Sequence, residues 1–130
     1  MSEPVKDSKA MIAGMKPVLQ PGLFAYATFA DGPPMEIATA ALGVFREKEG
    51  VSVIVPSDLA PNELPMRQIT LSVNSSLEGV GLTAAVAVAL TEANIACNVV
   101  AAYHHDHIFV PEMDAERAVA VLKVRAAAEG

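Results

Sequence analysis

Residues Met66 to Val100, MRQITLSVNSSLEGVGLTAAVAVALTEANIACNVV, show the clearest periodic pattern in the chain. The first nine of these residues alternate apolar side chains such as Ile69 and Leu71 with polar ones, which predicts a half-buried strand. From Leu82 to Ala93 the apolar residues recur at helical spacing, which predicts an amphipathic helix with one face on a core. A glycine-containing loop joins the two elements, so strand, loop and helix form the centre of the predicted fold.

The flanking sequence extends this centre in both directions. Downstream, Ile95–Tyr103 and His107–Val110 predict a hairpin, and Asp114 is placed to cap a last helix. Upstream, a second hairpin between Leu42 and Val55 follows a strand that begins at Leu23. Two βαββα halves result, so we predict an α+β fold with antiparallel sheets and helices packed on one face of each sheet. The predicted divisions are an N-terminal helix in 1–20, a degenerate half in 21–62 and a clearer half in 66–130.

Composition limits the classes of function. The chain has 130 residues, 52% of them hydrophobic, which is enough for a packed core and argues against disorder. The formal net charge is −6 without a basic cluster, so we expect no nucleic-acid partner. No apolar run is long enough to span a membrane, and the N-terminus does not resemble a signal peptide, so we expect a soluble, cytoplasmic protein. The single cysteine, Cys97, has apolar neighbours and is expected to be a buried, inert thiol.

The loop before the predicted helix, Ser75-Ser-Leu-Glu-Gly-Val-Gly-Leu-Thr, is a candidate binding site. Gly79 and Gly81 permit close approach of the backbone, and the N–H groups of the first helical turn favour an anion such as an α-carboxylate. Glu78 or Ser76 is placed to meet an α-amino group. The alternative is that the glycines only shape a tight connection between strand and helix, and both interpretations remain open at this point.

Residues 75–100 resemble the ACT domain pattern, in which a strand leads to a glycine-containing loop, then an alanine- and leucine-rich helix, then a strand. The resemblance covers about residues 66–122 well and residues 20–62 weakly. The chain is similar to the regulatory ACT pair of aspartokinases. It is more similar to small stand-alone proteins with two ACT-like halves, for which the run His104–Pro111 is distinctive.

The resemblance implies a ferredoxin-like fold, side-by-side pairing of ACT units and amino-acid ligands held between units. It places ligand contacts on three segments: the loop Ser76, Leu77, Glu78, Gly79, Val80 and Gly81; the strand positions Asn98, Val99 and Val100; and the hairpin positions His104, His105 and Asp106. Two departures from aspartokinases matter. Their hairpin is rich in serine and threonine where this chain has histidines, so the identity of the ligand does not transfer, and these 130 residues contain no kinase domain.

The run His104-His105-Asp106-His107 is the densest group of chemically active side chains. A zinc site needs three or four converging ligands, and no cysteine or second histidine pair supports this run, so His105 and His107 are weak metal candidates. A second interpretation is recognition of a polar ligand group by the imidazoles and Asp106. The third is a solvated hairpin whose polar groups are satisfied locally.

Three functional hypotheses follow. The first is a homodimeric ACT-pair protein without catalytic residues or a cofactor, which binds an amino acid or similar small metabolite and passes the signal to an unidentified protein partner. The second is a dimerising interaction module with a vestigial pocket. The third is a metal-dependent enzyme centred on the His104–His107 cluster, for which no known catalytic spacing is present.

Overall fold

A computed structural model describes residues 7–74 and 76–130 of the chain. Residues 1–6, at the start of the predicted N-terminal segment, and Ser75, the first residue of the predicted loop, lie outside the described residues. The chain divides into two compact units. Unit one joins the residues up to Pro21 with Arg67–Gly130, and unit two is Gly22–Met66.

Eleven helices and strands follow one another along the described chain. In order they are α1 (Ser8–Ala13), β1 (Pro17–Leu19), β2 (Phe24–Phe29), α2 (Met35–Ala40), β3 (Gly43–Glu47), β4 (Gly50–Pro56), β5 (Met66–Leu71), α3 (Leu82–Glu92), β6 (Asn98–Ala101), β7 (Asp106–Pro111) and α4 (Ala115–Glu129). Single 3-10 turns, Ser57–Leu59 and Glu112–Asp114, follow β4 and β7. Each hairpin therefore ends in a proline followed by a helical turn.

In unit one, β7 lies between β5 and β6, and helices cover the apolar face of these strands. β6 and β7 are antiparallel, with Val99 opposite Ile108, and β1 runs antiparallel to β5. The core takes residues from α1, α3, α4 and the strands: Met11, Ile12, Met15, Ile69, Leu71, Leu82, Val86, Leu90, Ile95, Ile108, Val110, Ala115, Ala118 and Leu122. The N-terminal helix is thus part of the same core as the residues after 67.

Unit two repeats the plan with shorter elements. β4 lies between β3 and β2 and is antiparallel to both, with Val53 opposite Val44 on one side and Ala27 on the other. α2 contributes Ile37 to a small core shared with Ala25, Val53, Val55 and Ala60. The predicted α+β class, with two ferredoxin-like halves of antiparallel strands and helices, is confirmed.

Local interactions explain several helix ends. Asp7 accepts a hydrogen bond from Ala10 N at 2.9 Å and so caps α1. Asn94 follows α3 with φ +59, the left-handed conformation expected after a helix. The prediction that Asp114 caps α4 is only half right, because it occupies the cap position without a capping side-chain bond. Its carboxylate instead accepts from Arg117 Nη2 at 3.1 Å.

Strand β1 was not predicted, because three residues carry no detectable period and the strand exists only through its pairing with β5. The sequence-based divisions at 1–20, 21–62 and 66–130 stay a prediction. No helix within residues 7–74 and 76–130 combines the length and apolar character needed to cross a bilayer.

Candidate functional site

A cavity of about 370 Å³ lies at the N-terminal end of α3, inside unit one. The loop before α3, the first turn of that helix, the residues at the end of β6, the start of β7 and helix α1 all contribute to it. The lining residues are Met11, Ser76, Leu77, Gly79, Val80, Gly81, Leu82, Thr83, Ala84, Ala101, Ala102 and Asp106. The volume is near the lower end of the range of about 300 to 1,000 Å³ that is usual for small-molecule sites.

The loop is shaped by its own hydrogen bonds. Ser76 Oγ accepts from Glu78 N at 3.1 Å, and the Ser76 carbonyl accepts from Gly79 N at 2.9 Å. Gly81 has φ +110, a backbone conformation that residues with a side chain rarely adopt. Its carbonyl accepts a hydrogen bond from Ala85 N at 2.9 Å, the first bond of α3. Glycine is therefore required at position 81 for the chain to turn into the helix at this point.

Helix α1 forms one wall of the cavity by lying directly on the loop. A Cβ atom at position 79 would be 2.8 Å from Met11 Sδ and 2.9 Å from its Cε, well inside contact distance. A Cβ at position 81 would be 3.1 Å from Ser8 Cβ. The two glycines therefore let α1 approach the loop, which is a packing role in addition to their role in the turn.

The start of α3 supplies backbone N–H groups to the cavity. Leu82, Thr83 and Ala84 line it, and their amides precede the first intrahelical bond, that of Ala85 N. Among the described residues, no side chain hydrogen-bonds this end of the helix as a cap. Such a helix terminus carries a partial positive charge that favours a negatively charged group.

Asp106 is the carboxylate of the cavity lining. It begins β7 opposite Ala101, and only 8% of its surface is exposed. Because side chains alternate along a strand, Asp106 shares a face with the core residues Ile108 and Val110. An ionised carboxylate accepts hydrogen bonds only, so Asp106 suits a cationic donor such as an ammonium group.

His107 lies on the opposite face of β7 and does not line the cavity. Its Nδ1 atom is 3.1 Å from Gln68 Nε2 and 3.0 Å from Thr70 Oγ1, both on β5. The amide N–H of Gln68 donates to Nδ1, which fixes the neutral ring with its proton on Nε2. Burial lowers the pKa of His107, the charge of His105 lowers it further, and Asp106 raises it in opposition.

The other two histidines occupy the turn between β6 and β7. His105 Nδ1 donates to the Val73 carbonyl at 3.3 Å, and its own carbonyl accepts from Ala102 N at 3.0 Å. His104 is exposed, with its ring edge-on to Tyr103 at a centroid distance of 5.0 Å. In the part of the chain that the structure describes, no three His, Cys, Asp or Glu side chains are grouped to hold a metal ion.

The cavity brings together part of the predicted ligand site. Its lining contains the loop positions Ser76, Leu77, Gly79, Val80 and Gly81 and the hairpin position Asp106. The remaining predicted positions are not among its lining residues: Glu78, Asn98, Val99, Val100, His104 and His105. The end of β6 that reaches the cavity is Ala101, whereas Asn98 lies at the other end, opposite Phe109. Ligand contact by any of these residues stays a prediction.

Several contributors were missed because they depend on tertiary pairing. Met11 is one of them, because nothing local in its helix indicates contact with a loop 68 residues later. Gln68 and Thr70 lie on the polar side of the predicted strand, and this position is the signal in the sequence that they have polar partners. Their partner His107 cannot be identified from the sequence, because local patterns do not show which strands are neighbours. Cys97 is half-buried against the core and not fully buried as predicted, and burial raises the pKa of its thiol. Its inertness stays a prediction.

We expect the free energy of unfolding to fall as pH decreases from about 7.5 to about 5.5. The pKa of folded His107 lies below its ordinary value of 6.5, so the unfolded chain binds a proton first as pH falls. Above both pKa values the ring is neutral in both states and this contribution to stability is complete. Urea denaturation at a series of pH values measures the slope.

His107→Gln should remove most of that slope, whereas His104→Gln, which changes an exposed ring, should retain it. Equal slopes in the wild type and the His107 variant would contradict the assignment of this pH dependence to His107.

Comparison with known proteins identifies two ACT domains. Models of the ACT domain family match residues 4–65 and residues 63–124. A comparison with curated protein sequences finds no match. A crystal structure of a Vibrio cholerae protein of unknown function, described as a possible transport protein, is 35% identical with a TM-score of 0.77; the alignment covers 88% of this chain and 92% of that one.

More distant structures share the fold. A protein from Agrobacterium tumefaciens is 17% identical with a TM-score of 0.65, over 80% of this chain and 81% of that one. The regulatory subunit of aspartate kinase from Thermus flavus is 9% identical with a TM-score of 0.62, over 85% of this chain and 96% of that one. Both family models describe ACT domains, the Vibrio structure is similar over most of its length, and the chain forms two ferredoxin-like units. The chain therefore belongs to the ACT domain family as a protein with a pair of ACT domains.

Proposed function

We propose that this protein is an amino-acid sensor that binds a free α-amino acid in the cavity at the start of α3. The observation that carries the proposal is the position of the buried Asp106 carboxylate in a small cavity that is also lined by the first turn of a helix. A free amino acid is a zwitterion with an ammonium and a carboxylate on one carbon. The lining offers a complementary group for each charge.

The two charged groups of the ligand have distinct places in this proposal. The ammonium donates a charge-assisted hydrogen bond to Asp106. Because Asp106 is buried, this bond is stronger than the same bond at the surface. The carboxylate accepts from the amides of Leu82, Thr83 and Ala84, where the helix terminus favours negative charge. The hydroxyls of Ser76 and Thr83 add polar contacts at the rim.

The proposed role is regulatory and not catalytic. Several solved structures with this fold are regulatory subunits of aspartate kinase, which supports a protein that reports ligand binding to a separate protein partner. We propose a cytoplasmic protein without a cofactor, which suits its single half-buried cysteine. Metal-dependent chemistry at His104–His107 has less support, because the Nδ1 atoms of His105 and His107 both contact protein groups.

We expect Asp106→Asn to lower amino-acid affinity on the order of 100-fold, because the buried ammonium then loses its anionic partner. The substitution preserves shape, so the fold should persist. Glu78→Gln is the matched comparison, since this carboxylate lies in the loop before α3 but is exposed and not among the lining residues. Thermal shift followed by calorimetric titration against the common amino acids measures both variants.

Loss of binding in the Glu78 variant with full binding in the Asp106 variant would move the ammonium site to Glu78. Absence of any thermal shift with every amino acid in the wild-type protein would contradict the sensor proposal itself.

We also propose that the protein is a homodimer formed through β3. In the described part of the chain, the strand order ends at β3, so one edge of this strand is left without a neighbour. Phe45 and Val44 are 71% and 56% exposed on it, which is unusual for large apolar side chains on a sheet edge. Phe45 is the central residue of Gly43–Glu47, so a twofold axis beside it would pair two copies antiparallel and cover both phenylalanines.

Phe45→Glu should convert the dimer to a monomer, because like charges would then face each other at the twofold axis. Sedimentation velocity over a range of protein concentrations measures the change. Met113→Glu is the control, since Met113 is also exposed but lies in the turn before α4. A wild-type protein that remains monomeric at high concentration, or a dimer that survives Phe45→Glu, would contradict this interface.

A further inference from the structure

We infer that Met11, on the N-terminal helix, determines which ligand side chain fits the cavity, and that the cavity selects neutral aliphatic amino acids. The inference rests on the proposed function and extends it from amino acids in general to one class of side chain.

Asp106 is the charged side chain among the described residues that line the cavity, and none of those residues is a lysine or an arginine. The start of α3 adds the partial positive charge of a helix N-terminus. A ligand with a basic side chain carries two positive groups, its α-ammonium and its side chain, whereas the lining offers the single carboxylate of Asp106. A ligand with an acidic side chain brings a second anion without a cationic partner. Burying an unpaired charge is costly, so both classes are disfavoured relative to neutral side chains.

The lining also contains apolar side chains. Leu77 and Val80 are large apolar side chains that the loop leaves exposed at the rim, and Ala101 and Ala102 form part of the wall. An aliphatic ligand side chain placed between them removes apolar surface from water on both partners, which favours binding. A strongly polar side chain would gain less from the same position.

Met11 is the part of this wall that can set its size. The residue is 1% exposed, and its Sδ and Cε atoms lie against Gly79, so its side chain is held between the helical core and the loop. Methionine is unbranched and adapts to irregular space, and its removal leaves room where the ligand side chain ends. The helix that carries it comes from the beginning of the chain, so the N-terminal segment completes the site of the second ACT half.

Met11→Ala in the full 130-residue protein tests the inference, with Met15→Ala as its matched control. Met15 is 0% exposed and lies in the same segment and the same core, but it is not among the lining residues. Both variants should lose stability through the cavity that truncation creates. Calorimetric titration with L-valine, L-leucine, L-phenylalanine, L-lysine and L-glutamate gives the preference of each protein.

The wild type should bind valine or leucine, with lysine and glutamate at least about tenfold weaker. Met11→Ala should shift the leucine-to-phenylalanine affinity ratio about tenfold toward phenylalanine, and Met15→Ala should leave that ratio unchanged. A wild type that prefers lysine or glutamate, or equal ratios in the two variants, would overturn the inference while leaving amino-acid binding intact. Failure of all five amino acids to bind the wild type would instead defeat the proposed function, and the inference with it.

Discussion

The close contact between Met11 and Gly79 holds together two parts of the chain that are far apart in sequence. A side chain at position 79 would place its Cβ 2.8 Å from the Met11 sulfur, so the Met11 side chain can keep this position only because residue 79 is glycine. Strand β1 strengthens the same connection by pairing with β5, and Ser72 N donates to the Met15 carbonyl at 2.7 Å. Met11 of this N-terminal segment lines one side of the cavity, next to the loop before α3.

Alternation along β7 then separates two kinds of polar chemistry within one short run. Asp106 shares the face of the core residues and reaches the cavity, whereas His107 is on the other face with Gln68 and Thr70. A one-residue step therefore distinguishes the proposed ammonium partner from a histidine that is engaged within the sheet. The histidine run, which is the most conspicuous feature of the sequence, contributes its aspartate to the cavity lining.

Local patterns predicted the elements with strong periodicity and failed where pairing decides the structure. The helical spacing of apolar residues in α3 predicted its buried face, which contains Leu82, Val86 and Leu90. The glycine loop and Asp106 were also predicted as candidate ligand positions, and both are in the cavity lining. Met11 was not, because helical spacing shows that a residue is buried but not what it is buried against. Strand β1 and the partners of His107 were missed for the same reason, since both depend on which strands are neighbours.

An aliphatic amino acid is the ligand that we propose for the cavity between α1, the loop and the start of α3. The most direct test is an NMR titration of the ¹⁵N-labelled protein with L-leucine, following backbone amide shifts. We expect perturbations concentrated at residues 76–84, 101–106 and Met11, saturating with ligand concentration. Saturable perturbations centred on unit two, at residues 22–66, would place the ligand elsewhere and rule out this cavity as its site.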